Sequence, residues 1–261
     1  MSQKLKVLDL FSGIGGFSLG LEKTGGFETV AFCEIEEFPR KVLAKHWPGV
    51  PIYDDVKELT VDRLRKDGTT VDVICGGFPC QDISAAGKQA GIGEGTRSGL
   101  WSELARLIGE LRPQYAIMEN VTALVSGDSG RWFSRVLGDL AALGYDAEWH
   151  CIPASAVGAP HQRDRVWIIA YPNSPGLQER LSIKGVDGGQ ASGYQGQEPA
   201  FCGWWATEPA VGRVADGVPD RSHRLKALGN AVVPQIPCII GQAILHEKKS
   251  PCYGAFNDAS S

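Results

Sequence analysis

Short runs of apolar, β-prone residues alternate along much of the chain with longer stretches of mixed polar and apolar character. The runs at residues 6–10, 29–33, 71–75, 115–118 and 165–170 predict strands. The stretches at 17–23, 37–46, 99–111 and 132–143 predict helices. In the last of these, Phe133, Val136, Leu137 and Leu140 recur at the spacing of one helical face. Strands alternating with helices of this length predict an α/β domain built on a mostly parallel sheet.

The pattern changes after Tyr171. Residues 172–203 are rich in Gly, Pro, Ser and Gln and show little periodicity, which marks an irregular insertion rather than another βα unit. Regular character returns near Arg213, and Pro234 opens a final predicted helix that runs to about Lys248. Residues 250–261 read as a flexible polar tail. The chain thus divides into a main domain at 1–171, a short irregular region at 172–212, a C-terminal segment at 213–249 and the tail.

In a parallel α/β sheet, ligands bind beyond the carboxyl ends of the strands. Four conspicuous groups fall there: Phe11–Gly16, Glu34, Gly76–Ser84 and Glu119–Asn120. The glycines at 13, 15 and 16 lie between a strand and a helix, where main chain can approach a ligand or simply turn tightly. Their spacing is not the GxGxxG of pyrophosphate binders. Glu34, ending the next strand, is placed to accept hydrogen bonds from ribose hydroxyls, and Asp55 could hold an adenine amino group. Cys80 follows Gly76-Gly77-Phe78-Pro79 and reads either as an exposed nucleophile or as a small buried hydrophobe.

Composition adds exclusions. With 43% hydrophobic and 21% charged residues the chain is of ordinary globular type. Its 7 cysteines, an odd number at irregular spacing, exclude a disulfide framework as the organising device, and none has zinc-site spacing, so no metal is expected. The N-terminus lacks a signal-peptide pattern and no run approaches 18 apolar residues, which predicts a soluble, cytoplasmic protein. A net charge of −4 argues against non-specific clamping of nucleic acid, though a local basic cleft remains compatible with it.

The ordered set DLFSGIGGFSLGLE, GGFPCQDIS, MENV, PHQRDRVW and LGNAVVPQIP closely resembles the motifs of the DNA cytosine-5 methyltransferase family of prokaryotes and phages. The resemblance covers most of residues 4–170 and resumes at about 213–245. It implies a class-I adenosylmethionine-dependent, Rossmann-like α/β domain with a small irregular target-recognition region at 172–212 and a C-terminal segment that returns to the catalytic domain. It also implies methyl transfer from S-adenosyl-L-methionine to C5 of a flipped-out cytosine in double-stranded DNA. A restriction–modification setting with a cognate restriction enzyme, or phage protection, would accompany it.

By the same resemblance Cys80 is the nucleophile, Glu119 the acid acting at N3, and Arg163 with Arg165 the pair near the target base. The arginines, two residues apart on a predicted strand, would share one face or form a salt bridge with Asp164 or Glu119. Cofactor roles fall on Phe11, Gly13, Gly15, Gly16, Glu34, Ile35, Asp55, Val56, Pro79, Leu100, Asn230 and Val232. Gln81, Ser84, Lys88 and Arg97, in the glycine-rich stretch 81–99, would touch DNA, as would Arg213, Arg221 and Arg224 and, in second place, Lys226.

Two features depart from the family. His161 stands where the family most often has Gln, and the recognition region is short, with Arg180 and Lys184 as its cations. Trp204 and Trp205 there would pack as core or stack on DNA. An amino-methyltransferase is disfavoured because the chain has no Pro-Pro pair. A tRNA cytosine-5 methyltransferase and a catalytically silent DNA-binding accessory protein are the remaining alternatives; the latter would be expected to lose Cys80 or Glu119.

Overall fold

The computed structural model describes residues 3–79, 100–173 and 221–248 of the chain. Among these, seven strands form one sheet: β1 (Leu5–Leu10), β2 (Phe27–Cys33), β3 (Ile52–Tyr53), β4 (Val73–Gly77), β5 (Tyr115–Val121), β6 (Tyr145–Pro153) and β7 (Asp164–Pro172). The helices are α1 (Gly16–Glu22), α2 (Glu37–His46), α3 (Val61–Lys66), α4 (Leu100–Leu111), α5 (Ala123–Ser126), α6 (Arg131–Ala142), α7 (Arg221–Asn230) and α8 (Gln235–Lys248). Strand order is β3-β2-β1-β4-β5-β7-β6. The first five strands are parallel, and β7 runs antiparallel to both its neighbours.

The central strands are continuously apolar because helices cover both faces of the sheet. Successive side chains go to opposite sides. Val7, Val73 and Cys75 join one core with Phe17 and Leu21 of α1 and Ile236, Ile240 and Ile244 of α8. Leu8, Leu10 and Ile74 join the other, with Trp101, Leu104 and Ile108 of α4 and Phe133, Val136 and Leu140 of α6. The Trp101 indole N–H, carried into this core, donates to Asp139 Oδ2 at 2.8 Å.

Several boundaries differ from those predicted. β4 begins at Val73 rather than at residue 71, because the preceding Asp72 ties strand entrances together: its carboxylate accepts from the Lys6 main-chain N–H and the Gln114 amide at 2.9 and 2.8 Å. β3, α3, α5, β6 and α7 have no counterpart among the predicted elements. β6 is one of the sheet's two edge strands, and its burial is broken along its length, so it carries no apolar run. α7 is mostly polar, and Ala227 is its buried residue among those whose side chains are described.

The C-terminal segment docks onto α1 through two glycines. A Cβ at Gly16 would lie 2.6 Å from the Val232 carbonyl oxygen, and one at Gly20 would collide with that of Pro234. Only glycine lets the chain pass so close. α8 then buries Ile236, Ile240 and Ile244 with further neighbours of its own. By length and composition alone the helical stretch Ser222–Lys248 is apolar enough to cross a membrane; α8 turns its apolar residues onto α1 and the sheet.

Beneath the strand ends, Asp9 of β1 is fully buried. Its Oδ2 accepts from the Ser18 hydroxyl at 2.7 Å and from the Ser18 main-chain N–H at 3.3 Å. It thereby caps α1, whose own N-cap residue, Gly15, has no side chain to offer. Oδ1 has no strong donor, only the weakly donating Cys75 thiol nearby. Burial pushes the Asp9 carboxyl up to about 7, against the smaller opposing effect of the Ser18 bonds.

Candidate active site

The sheet order reverses between β1 and β4, and a cleft of about 990 Å³ opens at the carboxyl ends of those strands. Its floor and walls come from the turn after β1, the ends of β2, β4 and β5, the segment before β7, and α7.

On the β1–β2 side the central group is Glu34, 7% exposed. Its Oε2 accepts from the Gly13 N–H at 2.7 Å and its Oε1 from the Glu36 N–H at 2.8 Å. Each carboxylate oxygen has two lone pairs, so one on each remains for a ligand. Ser12 pins the turn beside it, donating to the Asp9 carbonyl and accepting from the Cys33 N–H at 3.3 Å. Phe11 adopts a left-handed backbone (φ 52°), which turns the chain out of β1 toward the cleft. Ile35 is 69% exposed, the most exposed of the large hydrophobic side chains among the described residues, and it lines the same cleft.

On the β4–β5 side the central group is Glu119, 9% exposed. Its Oε1 pairs with Arg165 Nε at 2.8 Å. Its Oε2 hangs over Gly77, where an added Cβ would lie only 2.9 Å away. Burial raises the Glu119 pKa, and the two guanidiniums of Arg165 and Arg163 oppose that rise without cancelling it. Arg165 is further fixed by a bond from Nη1 to the Asp164 carbonyl at 2.8 Å.

The arginine pair departs from the expected geometry. Arg163 precedes β7 and has a left-handed backbone (φ 39°), so the two side chains do not share one face by strand alternation. Arg163 Nη1 instead donates to the Gly229 carbonyl of α7 at 2.7 Å. The salt-bridge reading holds for Arg165, which pairs with Glu119.

Of the expected cofactor residues, Phe11, Gly13, Glu34, Ile35, Asp55, Val56, Pro79, Leu100 and Asn230 line the cleft. Gly15, Gly16 and Val232 lie behind it: Gly15 faces the Trp47 ring, and Gly16 faces Val232 itself. Cys80, Gln81, Ser84, Lys88, Arg97 and Arg213 lie outside the described residues, as do Trp204 and Trp205. Arg221 begins α7 but its side chain also lies outside the description; Arg224 is exposed on the same helix. His161 is exposed and does not line the cleft. Among the described residues no group of His, Cys, Asp and Glu is arranged to hold a metal.

The structure adds residues to which the sequence assigned no role. Asn120 is buried, and its Nδ2 donates to the Phe78 carbonyl at 3.1 Å while its Oδ1 accepts from the Val121 N–H at 2.8 Å. It thus holds the main chain two residues before Cys80. Its adjacency to Glu119 was the available signal. Phe38 and His223 also line the cleft, and nothing in their local sequence marked them.

The family model for C-5 cytosine-specific DNA methylase matches residues 5–189. The chain is 38% identical over 170 residues to the type II methyltransferase M2.BsuMI of Bacillus subtilis, covering 64% of this chain and 42% of that protein. It is 38% identical over 168 residues to M1.ScrFI of Lactococcus lactis, with the same two coverages of 64% and 42%. The matched part therefore spans about two fifths of the length of these relatives. Among solved structures, a DNA modification methyltransferase encoded within an E. coli prophage superposes with a TM-score of 0.58 at 28% identity, covering 70% of this chain and 50% of that one. A DNMT2 protein of Spodoptera frugiperda superposes with a TM-score of 0.53 at 24% identity, covering 66% and 51%, a likeness of fold.

Proposed function

The chain belongs to the C-5 cytosine-specific DNA methylase family and has its class-I Rossmann-like fold, and from that premise we propose that it transfers a methyl group from S-adenosyl-L-methionine to C5 of cytosine in duplex DNA. The observation that carries the proposal is the cleft with two differently held carboxylates, Glu34 and Glu119, facing it from the carboxyl ends of β2 and β5.

The residues present fit an adenosyl cofactor. Glu34 keeps a lone pair on each oxygen for a ribose diol, Gly13 has no atom within 4 Å of where a side chain would begin, and Ile35 offers bare apolar surface to a purine. When bound, adenosylmethionine supplies an electrophilic methyl group on a sulfonium. The cleft, at the upper end of the usual volume of about 300–1,000 Å³ for small-molecule sites, has room for a flipped base beside it.

C5 of cytosine is a poor nucleophile while the ring is aromatic. In the proposed reaction the Cys80 thiolate adds to C6, and the displaced electron pair moves toward N3. Glu119, whose buried carboxyl holds a proton more readily than an exposed one, donates a proton to N3 as charge develops there. C5 is then enamine-like and takes the methyl group. Loss of the C5 proton to water and expulsion of the thiolate restore the ring, and N3 returns its proton to Glu119. Arg165, held by Glu119 and the Asp164 carbonyl, presents its remaining N–H groups toward the base, where cytosine O2 is the acceptor.

Residues 172–212 serve as a short target-recognition region, and the setting is host protection, with a cognate restriction enzyme as partner, or a phage; one relative is described as a type II methyltransferase and one similar structure as encoded within a prophage. A duplex containing 5-fluorocytosine tests the reaction class, because fluorine cannot leave as a proton does. With tritiated adenosylmethionine the protein is expected to give a labelled covalent band on a denaturing gel, and Cys80→Ser none; tRNA in place of the duplex is expected to give none. A labelled band that persists in Cys80→Ser would overturn the assignment.

A further inference from the structure

In the sequence, α7 enters the cofactor site only through its last residue, yet the folded helix forms one wall of the cleft. His223, Lys226, Ala227, Gly229 and Asn230 all face it. Across the opening stand Glu36 and Phe38, at the start of α2. The two sides touch: the His223 ring lies over the Phe38 ring, 6.2 Å between centroids and 27° from parallel. Lys226 Nζ pairs with Glu36 Oε1 at 2.6 Å. At the far end of the helix, Gly229 is tied to Arg163.

We propose that Glu36, Phe38, His223 and Lys226 form a latch that holds α7 shut over the adenosine end of the bound cofactor, so that these four residues set how long cofactor and product stay. The inference rests on the cofactor reading above. Three observations carry it.

First, the latch is wired to the cofactor acceptor. The Glu36 N–H donates to Glu34 Oε1, so the residue that pairs with α7 also orients the carboxylate assigned to the ribose.

Second, α7 is lightly attached, whereas α8 is firmly seated. Leu228 of α7 is 63% exposed, and both partners of the Glu36–Lys226 pair are about half exposed, where an ion pair contributes little. α8 by contrast is packed along α1, and Val232 and Pro234 are locked against Gly16 and Gly20. The helix can therefore swing about Ala231, ahead of the locked residues, by giving up the exposed Lys226 pair and the Arg163–Gly229 bond, which is the low-stability behaviour expected of a closing element.

Third, with the latch engaged the enclosed cleft still presents apolar surface for a ligand to cover. Ile35 sits bare between Glu34 and Glu36.

The test measures dissociation of S-adenosylhomocysteine from the full chain by stopped flow. Glu36→Lys and Lys226→Glu, each placing like charges together, are expected to speed release about two- to fivefold. The double exchange, which restores the pair with its polarity reversed, is expected to return the rate to near that of the wild type. His223→Ala is expected to speed release as well. Wild-type rates in both single variants would overturn the latch, and so would a double exchange that stays fast. A wild-type chain that binds no adenosylhomocysteine at all would overturn the cofactor reading itself, which is a different result.

Discussion

Glu34 and Glu119 end two strands of one sheet, face one cleft and are almost equally buried, yet the chain holds them by different means. Glu34 is gripped by two main-chain N–H groups, from Gly13 and Glu36, whose positions are set by the turn after β1 and the start of α2. Glu119 meets a side chain instead, Arg165, and burial leaves it with a raised pKa. Main-chain donors cannot move aside or titrate, so the first arrangement makes a fixed acceptor. A carboxyl paired with one guanidinium and short of full solvation can hold a proton and give it up. On the proposed reading, one rim binds and the other exchanges a proton.

That contrast yields its largest expected effect at Glu119. Glu119→Gln keeps an oxygen for Arg165 but loses the transferable proton, and methyl transfer is expected to fall by about 10²–10⁴-fold. Binding of adenosylhomocysteine, measured by calorimetry, is expected to stay within about twofold, because an exchange of amide for carboxyl on the other rim removes no contact of the kind assigned to the cofactor. Loss of cofactor binding in this variant would dissolve the distinction between the rims.

Asp9 is a third carboxyl of the same region and sharpens the comparison by extending it to a group that neither binds nor reacts. Folded, its pKa is about 7, against an ordinary 3.8. Between those values the unfolded chain has released its proton while the folded chain keeps it, so stability falls as pH rises through that window and is level on either side. The full difference corresponds to at most about 4 kcal/mol. Asp9→Asn cannot titrate, and the slope between pH 4 and 7 in urea denaturation is expected to flatten relative to the wild type. An unchanged slope would mean that the loss of stability arises elsewhere.

The parts of this fold that were legible are those encoded locally. β1, β4 and β5 were visible as buried apolar runs, and α6 as a helical face, because their neighbours in space reflect their own periodicity. β6 carries a fainter signal: Tyr145, Ala147, Trp149 and Cys151 alternate with Asp146, Glu148 and His150, the pattern of an edge strand rather than a central one. Other features had no local signal at all. Gly16 belongs to a close approach by Val232, far along the chain, and Arg163 finds Gly229 across 66 positions. The left-handed backbone at Arg163 likewise depends on where the chain must go next, and it undid the expectation of two arginines on one strand face.

On the binding rim a smaller effect is expected. Glu34→Gln puts an amide N–H₂ against one of two main-chain N–H groups, so a donor faces a donor, and it removes the charge that strengthens any bond to a ribose hydroxyl. A bond to a charged group is worth roughly 1.5–3 kcal/mol, so affinity for adenosylhomocysteine is expected to fall about 10- to 100-fold. With cofactor held saturating, the covalent trapping of a 5-fluorocytosine duplex is expected to recover. Failure to recover at saturation would place Glu34 in the reaction as well as in binding.

Asn120 provides the finest test, because it sits beside Glu119 yet works like the donors around Glu34: it anchors main chain. Its side-chain N–H fixes the Phe78 carbonyl, and through it the path into Pro79. Asn120→Ala leaves that carbonyl and the Val121 N–H without their partner in a buried site, a cost of roughly 1–3 kcal/mol in denaturant stability. Asn120→Asp can still accept from Val121 but cannot donate to Phe78, so it separates the two bonds. If the anchor serves Cys80, both variants slow covalent trapping while cofactor affinity holds, and the alanine variant loses more stability than its slower trapping alone would suggest. If it serves only the sheet, trapping per folded molecule is unchanged, and the reacting rim is then organised by Arg165 and Gly77 without help from the strand end beside them.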